Sequence, residues 1–599
     1  MTRDSVESTH HCDVSARPLV QDAVGLPTVA ASHAPRASLA SIAVLGLSGC
    51  GGASGDGPTA ADATSAISNQ IGRGGVGTSG SVTPGPTVIP LTQTAAARLL
   101  QQASFGADRT QIERLQNLGH EAWLNEQFSM PRSMSHVDWL FASGFDAMTY
   151  QYSSSPMDYS VWRKFLSSPD VLRQRVVYAL SQILVVSIDG VPSAWKSFAV
   201  GYYLDVLETH AFGDFRTLIE AVTLTPAMGD YLNMRGNRKA NDAGRVPDEN
   251  YAREVMQLFT LGLLNIQSNG MPVLRDGQPV ESYVQDDVTG LARALTGWDY
   301  ASGAGLDNTT PARYVMPMQH YPSRHETGEK RFLGTTIAAG TDGYSSLRRA
   351  LDVLCAHPNV GPFLGRQLIQ RLVTSNPSAD YVARVAAAFA NNGAGQRGDL
   401  AAVVRAVLTD PEATSVPTDP GAGKLIEPVL RFARWARAFK VQSPSGAWKL
   451  GNLSDPATRL GQSPLHSPSV FNFFRPGYVA PNTPLAARSL VAPELQITTE
   501  TSVAGFVNVM QTVVSSATGF LGSDLTPDYS ELLALGADIN ALAAQAEWLL
   551  AANRLSASSR ATIRSALAQM PELTETQRRN RVCAAVLLTL VCPEALVQQ

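Results

Sequence analysis

The sequence predicts a mainly α protein: one large multi-helix domain with small β-hairpin inserts, preceded by a signal peptide and a disordered linker. Three observations carry this. Apolar residues recur at helical spacing from Leu91 to the C-terminus, strand-like alternation is confined to two short stretches, and a Gly/Ser/Thr/Pro-rich segment separates an apolar N-terminal run from that body.

The N-terminal run, LASIAVLGLSGCGG from Leu39 to Gly52, follows the basic Arg36 and ends on Leu47-Ser48-Gly49-Cys50. This is the shape of a bacterial lipoprotein export signal. Small side chains precede the cut because the peptidase cleft admits nothing bulkier, and the Cys50 thiol takes the lipid, each buried methylene contributing about 0.8 kcal/mol to anchoring. Residues 1–49 are therefore read as the signal region and Cys50 as the lipidation site. Because Gly51 rather than Asp follows Cys50, the expected location is the cell envelope, on the outer membrane facing the periplasm. The residues before Arg36 are mixed in charge, unlike a signal's basic start, which places the true start downstream, near Val24 to Val29. The competing reading is a cytosolic protein with an accidental apolar patch.

Residues 50–90 hold almost no large apolar side chain and cannot bury enough surface to offset ordering entropy, so they read as a flexible tether. Residues 91–599 form the body. The chain of 599 residues is 44% hydrophobic and 16% charged, which suits one large or two medium domains. A formal net charge of −4 with no basic run argues against nucleic acid as a partner. No apolar stretch reaches the roughly 18–20 residues of a membrane-spanning helix, so the membrane is met through the N-terminal lipid.

Within the body, Asp108 reads as the N-cap of a helix carrying Ile112, Leu115 and Leu118, stopped by Gly119. Further helices are expected over 157–187, 195–225, 248–265, 284–298, 344–374, 377–392, 398–409, 424–440, 493–518, 536–553, 557–569 and 574–591. Asp276-Gly277 between apolar residues signals a hairpin over Val273–Val280, and a second short hairpin is expected between Tyr300 and Gly340. The Pro-rich, aromatic stretch from Gly461 reads as an ordered loop packed by Phe471, Phe473, Phe474 and Tyr478, or else an interaction surface. Of the cysteines, Cys355, Cys583 and Cys592 read as buried thiols. The last two would stand about 13 Å apart along a continuous helix, too far to bridge.

Several ordered strings, among them AARLLQQASFG at 96–106, DENYAREVMQLFTLGL at 248–263, QDDVTGLARALTGW at 285–298, HETGEKRFLG at 325–334, SPSVFNFFRPGY at 467–478 and APELQI at 492–497, resemble the bacterial family catalogued as domain of unknown function 1800. The resemblance covers the whole body. It implies a largely helical, exported protein with no established activity, commonly encoded beside a second exported family, domain of unknown function 1501. That family is thereby the expected partner. The family loop usually reads His-Asp-x-Gly-x-Lys; here Glu326 replaces the aspartate.

No Gly-x-Ser-x-Gly elbow, phosphate loop or dinucleotide fingerprint is present. In DENYAREVMQLFTLGL, Asn250, Glu254 and Gln257 form one polar row beside the apolar Tyr251, Val255, Leu258 and Phe259. Glu254 is a candidate general base, with Arg293 as a partner; the plainer reading is a carboxylate paired to an arginine, with Glu249–Arg253 as a surface pair. Asp286 and Asp287 open the next helix and serve either as ligands for a divalent cation or as its cap. His325 and Glu326, with Glu329, Lys330 and His320 nearby, are candidate zinc or iron ligands.

Two functions fit this sequence. One is a lipid-anchored envelope protein acting as a binding or assembly partner. The alternative is a periplasmic metal-dependent hydrolase using Glu254, Arg293 and His325 as catalytic groups and Asp286, Asp287, His325 and Glu326 as metal ligands.

Overall fold

Helix after helix begins on a side chain that accepts a backbone N–H: Thr92, Asp108, Asp214, Thr225, Asp342, Ser378, Asp399, Ser556 and Thr574 all cap in this way. The computed structural model describes residues 90–599 except 420 and 517. The signal region, Cys12, Cys50 and the tether up to residue 89 lie outside the described residues. The described chain is mainly α, with 24 helices and only two-stranded sheets. A single apolar cluster runs through it from Ala96 to Ala595, and no described helix is long and apolar enough to cross a membrane.

The Asp108 cap closes a reciprocal capping box with Gln111, and Gly119 ends that helix at φ +82. Several of the long expected helices are split in two or cut short, among them 493–518, which divides into Pro493–Ile497 and Glu500–Ser516. Helix 157–187 is interrupted by Ser168-Pro169-Asp170 between Ser155–Ser167 and Val171–Ser181, because Pro169 cannot donate and restricts Ser168 to extended backbone. The run 195–225 breaks around Gly213 into Lys196–His210 and Phe215–Thr223. The run 344–374 breaks at His357-Pro358 into Gly343–Ala356 and Val360–Leu372. Helix 424–440 starts only at Pro428, since Lys424–Leu425 pairs as a strand with Val597–Gln598. That pairing is fixed further by Gln598, whose amide donates to Leu372 O and Val373 O at 2.7 and 2.9 Å.

Both expected hairpins are present. Leu274–Arg275 pairs with Gln278–Pro279 through Asp276-Gly277, and Lys330–Phe332 pairs with Thr335–Ile337 through Leu333-Gly334. All four turn residues have positive φ, as a two-residue turn matching strand twist requires. A third pair, Trp298–Asp299 with Gln319–His320, has no turn signal in the sequence because a long loop separates its strands. Cys355, Cys583 and Cys592 are free thiols; the first two are buried and Cys592 is half-buried.

Candidate functional site

Helix Gln285–Ala294 and the loop from His325 come together through the second hairpin, which packs its backbone against Gly290. A Cβ at Gly290 would stand 1.6 Å from Arg331 O, so only glycine permits this approach. The contact brings Arg293 to Glu326, at 3.8 Å, rather than to Glu254. Asp287 spends both oxygens on backbone: Oδ2 accepts from Val284 N at 2.9 Å and Oδ1 from Leu333 N at 2.6 Å. Asp286, beside it, is exposed. The buried His325 ring lies 2.9 Å from Thr296 O through Nδ1, which therefore carries the proton, and 3.3 Å from Ser346 Oγ through Nε2. Glu326 accepts from Gly328 N at 2.9 Å. Asp287 thus holds the helix start and Glu326 the turn. Among the described residues no group of three or more His, Cys, Asp or Glu side chains is placed to hold a metal ion. Lys330, on the same loop, is fully buried and its Nζ has no hydrogen-bond partner; burial lowers its pKa.

Glu254 stands elsewhere, at the end of helix Asn250–Glu254. Its carboxyl is half-buried, Oε2 has no hydrogen-bond partner, and burial raises its pKa. Its neighbour Glu249 makes the expected pair with Arg253, at 3.2 Å. Beyond Glu254 the chain continues as a π-helical turn, Val255–Thr260, a form frequent at functional sites. The turn closes on Gly262, whose N–H and that of Leu261 both donate to Met256 O at 3.1 and 2.7 Å. Gly262 has φ +75, and a Cβ there would meet the Phe363 ring at 2.9 Å, so backbone and neighbour both demand glycine.

This turn is one wall of a groove of about 750 Å³, within the range of ligand sites. Helix Val360–Leu372 is the second wall and the aromatic loop is the third. The loop is ordered by several anchors. Gln462 donates to the buried Glu427, which also accepts from Tyr178 and Gln182 at 3.0 and 2.7 Å. Ile188 N donates to Leu465 O at 2.8 Å, and His466 bridges Asp158 and Asp189 at 2.8 and 2.9 Å. Burial opposes a charge on His466, but hydrogen bonds and charges of the two aspartates outweigh it and raise its pKa to about 9. At the groove, Phe474 is buried under Arg371, at 5.0 Å, while Arg475 lies 4.7 Å over Phe471.

A second constellation has the look of catalytic machinery and cannot act as such. Ser160 Oγ lies 2.8 Å from His136 Nδ1, and His136 Nε2 lies 3.3 Å from Glu208. All three are sealed in the core, and Glu208 is bound at 2.6 Å by Lys164, itself fully buried. A nucleophile without access to solvent meets no substrate, so the set is structural.

The sequence reading singled out Gln257 and the aromatic loop but not their meeting with helix Val360–Leu372. The available signal was Gly262 directly after an apolar helix; nothing local pairs it with Phe363. The family model described as Protein of unknown function (DUF1800) matches residues 98–597. The chain belongs to that family. No curated protein and no solved structure matches it.

Proposed function

We propose that this is an exported envelope protein, lipid-anchored through Cys50 on the outer membrane and facing the periplasm, that acts by binding a partner protein in the groove beside the π-helical turn. The carrying observation is the groove itself: an open, preformed cleft of about 750 Å³ whose lip leaves Leu263 60% exposed, next to a hairpin insert that also exposes Met271 and Leu274. Exposed apolar side chains beside a cleft are what an interaction site presents. The partner we propose is the exported family catalogued as domain of unknown function 1501. The anchor is supported by the small residues before Cys50 and the Gly/Ser/Thr/Pro-rich stretch after it.

Gly477 lines the groove and a Cβ there meets nothing within 4 Å, so Gly477→Trp is the variant chosen to crowd the cleft. Captured from detergent-solubilised envelopes, the wild-type chain should retain the partner and the Gly477→Trp chain should lose it. Equal recovery by both sinks the docking reading, and an unmodified Cys50 sulfur in mass spectra sinks the anchor. The hydrolase reading keeps one observation in its favour, the unpartnered carboxyl oxygen of Glu254. A hydrolytic activity abolished by Glu254→Gln, with partner capture unchanged, would establish it instead.

A further inference from the structure

Charge in the groove is one-sided. Its walls carry Arg366, Arg371 and Arg475 and no carboxylate. Among the described residues none of the three enters an ion pair within 4.0 Å, and none of their guanidinium groups donates a hydrogen bond. Arg371 is partly balanced by the charges of Glu427 and Glu494, whereas Arg366 feels burial alone.

Amides form the second feature. Gln182, Gln257, Gln367 and Gln370 all line the cleft. Gln367 is 9% exposed and its Nε2 has no partner. Gln257 Oε1 accepts from Tyr283, leaving its NH₂ unused; Gln370 spends its NH₂ on Ser375 O and Pro476 O, leaving its oxygen. Gln182 Oε1 is likewise unpartnered. Each amide retains bonding capacity of one sign or the other.

Aliphatic walls alone would suit an acyl chain. Gln367 Nε2 and Gln182 Oε1 are already buried, but covering the cleft with hydrocarbon would leave the Gln257 donors and the Gln370 acceptor unpaired. An extended peptide supplies backbone N–H and C=O groups to those amides and places alternate side chains in apolar pockets. A carboxylate on that peptide meets guanidinium groups that lack one.

We infer that the groove takes an extended, apolar peptide segment of a partner protein that carries a carboxylate, held by Arg366 and Arg475. This rests on the docking reading above and specifies its ligand.

The test pans a phage-displayed library of random heptapeptides on the immobilised, detergent-solubilised full chain. Enriched sequences should carry Asp or Glu among aliphatic residues. Synthetic copies should bind the Arg366→Gln/Arg475→Gln chain at least tenfold more weakly, and exchanging the peptide's Glu for Gln should cause a similar loss in wild type but little further loss in the double variant. Arg366→Lys/Arg475→Lys keeps the charge and controls for folding; it should retain part of the affinity. Peptides without acidic preference, bound equally by the arginine variant yet excluded by Gly477→Trp, overturn this inference and leave the docking reading standing. Absence of any enrichment over Gly477→Trp removes both. Binding of phosphatidylglycerol vesicles through the same arginines, with no peptide enriched, assigns the groove to lipid and overturns the inference.

Discussion

His466 Nε2 lies 2.8 Å from Asp158 Oδ1, joining the aromatic loop to a helix 308 residues earlier in the chain. Asp189 takes the other ring nitrogen at 2.9 Å. With both partners the imidazole is held protonated up to about pH 9. Because the folded pKa lies above the ordinary value, the stabilisation is fully present below about pH 6.5, shrinks above it, and is lost as pH rises through 9. The shift corresponds to about 3 kcal/mol at most, and the cost of burying Asp158 reduces it. Thermal unfolding from pH 6 to 10 should show the wild type losing stability relative to His466→Gln over that window. Parallel curves for the two proteins would remove this role for His466.

That bond also marks where sequence reading ends. Local chemistry was legible. Asp108 with Gln111 announced a capped helix, Asp276-Gly277 a two-residue hairpin, and the aromatic residues after Gly461 an ordered loop. Pro169 carried its own signal, though the apolar period on either side ran through it and joined two helices into one. Relationships across the chain left no such trace. His466 carries no local signal because Asp158 and Asp189 are remote in sequence, and Arg293 was matched with Glu254 because both sit on amphipathic helices. The hairpin that delivers Glu326 to Arg293 decided the partner. The groove is likewise a product of three distant segments.

Lys164 and Glu208 are both 0% exposed and 2.6 Å apart. Burial pushes the Glu208 pKa up, but the hydrogen bond and charge of His136 and those of Lys164 prevail and hold it at about 2. Its contribution is therefore present above about pH 4.5 and lost as pH falls through 2. Glu208→Ala leaves a buried, unpaired ammonium and should destabilise by roughly 3–5 kcal/mol in urea unfolding. Replacing both partners by Lys164→Met and Glu208→Leu should cost clearly less than the single change. A double variant as unstable as Glu208→Ala would show that the pair is worth more than the penalty of isolating one charge.

Lys330 presents the opposite case, a buried amine whose Nζ has no hydrogen-bond partner. Its charge receives support from Glu326 and Asp342 and opposition from Arg293, and burial depresses its pKa. If Lys330 serves only the fold, Lys330→Met should be neutral or raise stability by about 1 kcal/mol, since an apolar group of similar shape removes the desolvation cost. A loss above 2 kcal/mol in the same unfolding measurement would instead assign Lys330 a pairing that stabilises the loop.

Gly290 controls whether the His325–Lys330 loop reaches the helix Gln285–Ala294 at all. Its missing side chain leaves room for Arg331 O, which an added Cβ would approach to 1.6 Å. The obstacle is backbone rather than a side-chain tip, so helix and hairpin must separate for Gly290→Ala to fit. The substitution should therefore cost at least 2–3 kcal/mol, at the upper end of overpacking effects, despite alanine's better helix propensity. Amide exchange should speed first in Lys330–Ile337, where the strand pairing depends on that contact. Gly303→Ala, in an exposed loop where the nearest atom is 3.7 Å away, is the matched control and should change stability by under about 0.5 kcal/mol. Equal stability of the two alanine variants would mean that the hairpin does not bear on the helix as described, and the pairing of Arg293 with Glu326 would lose its cause.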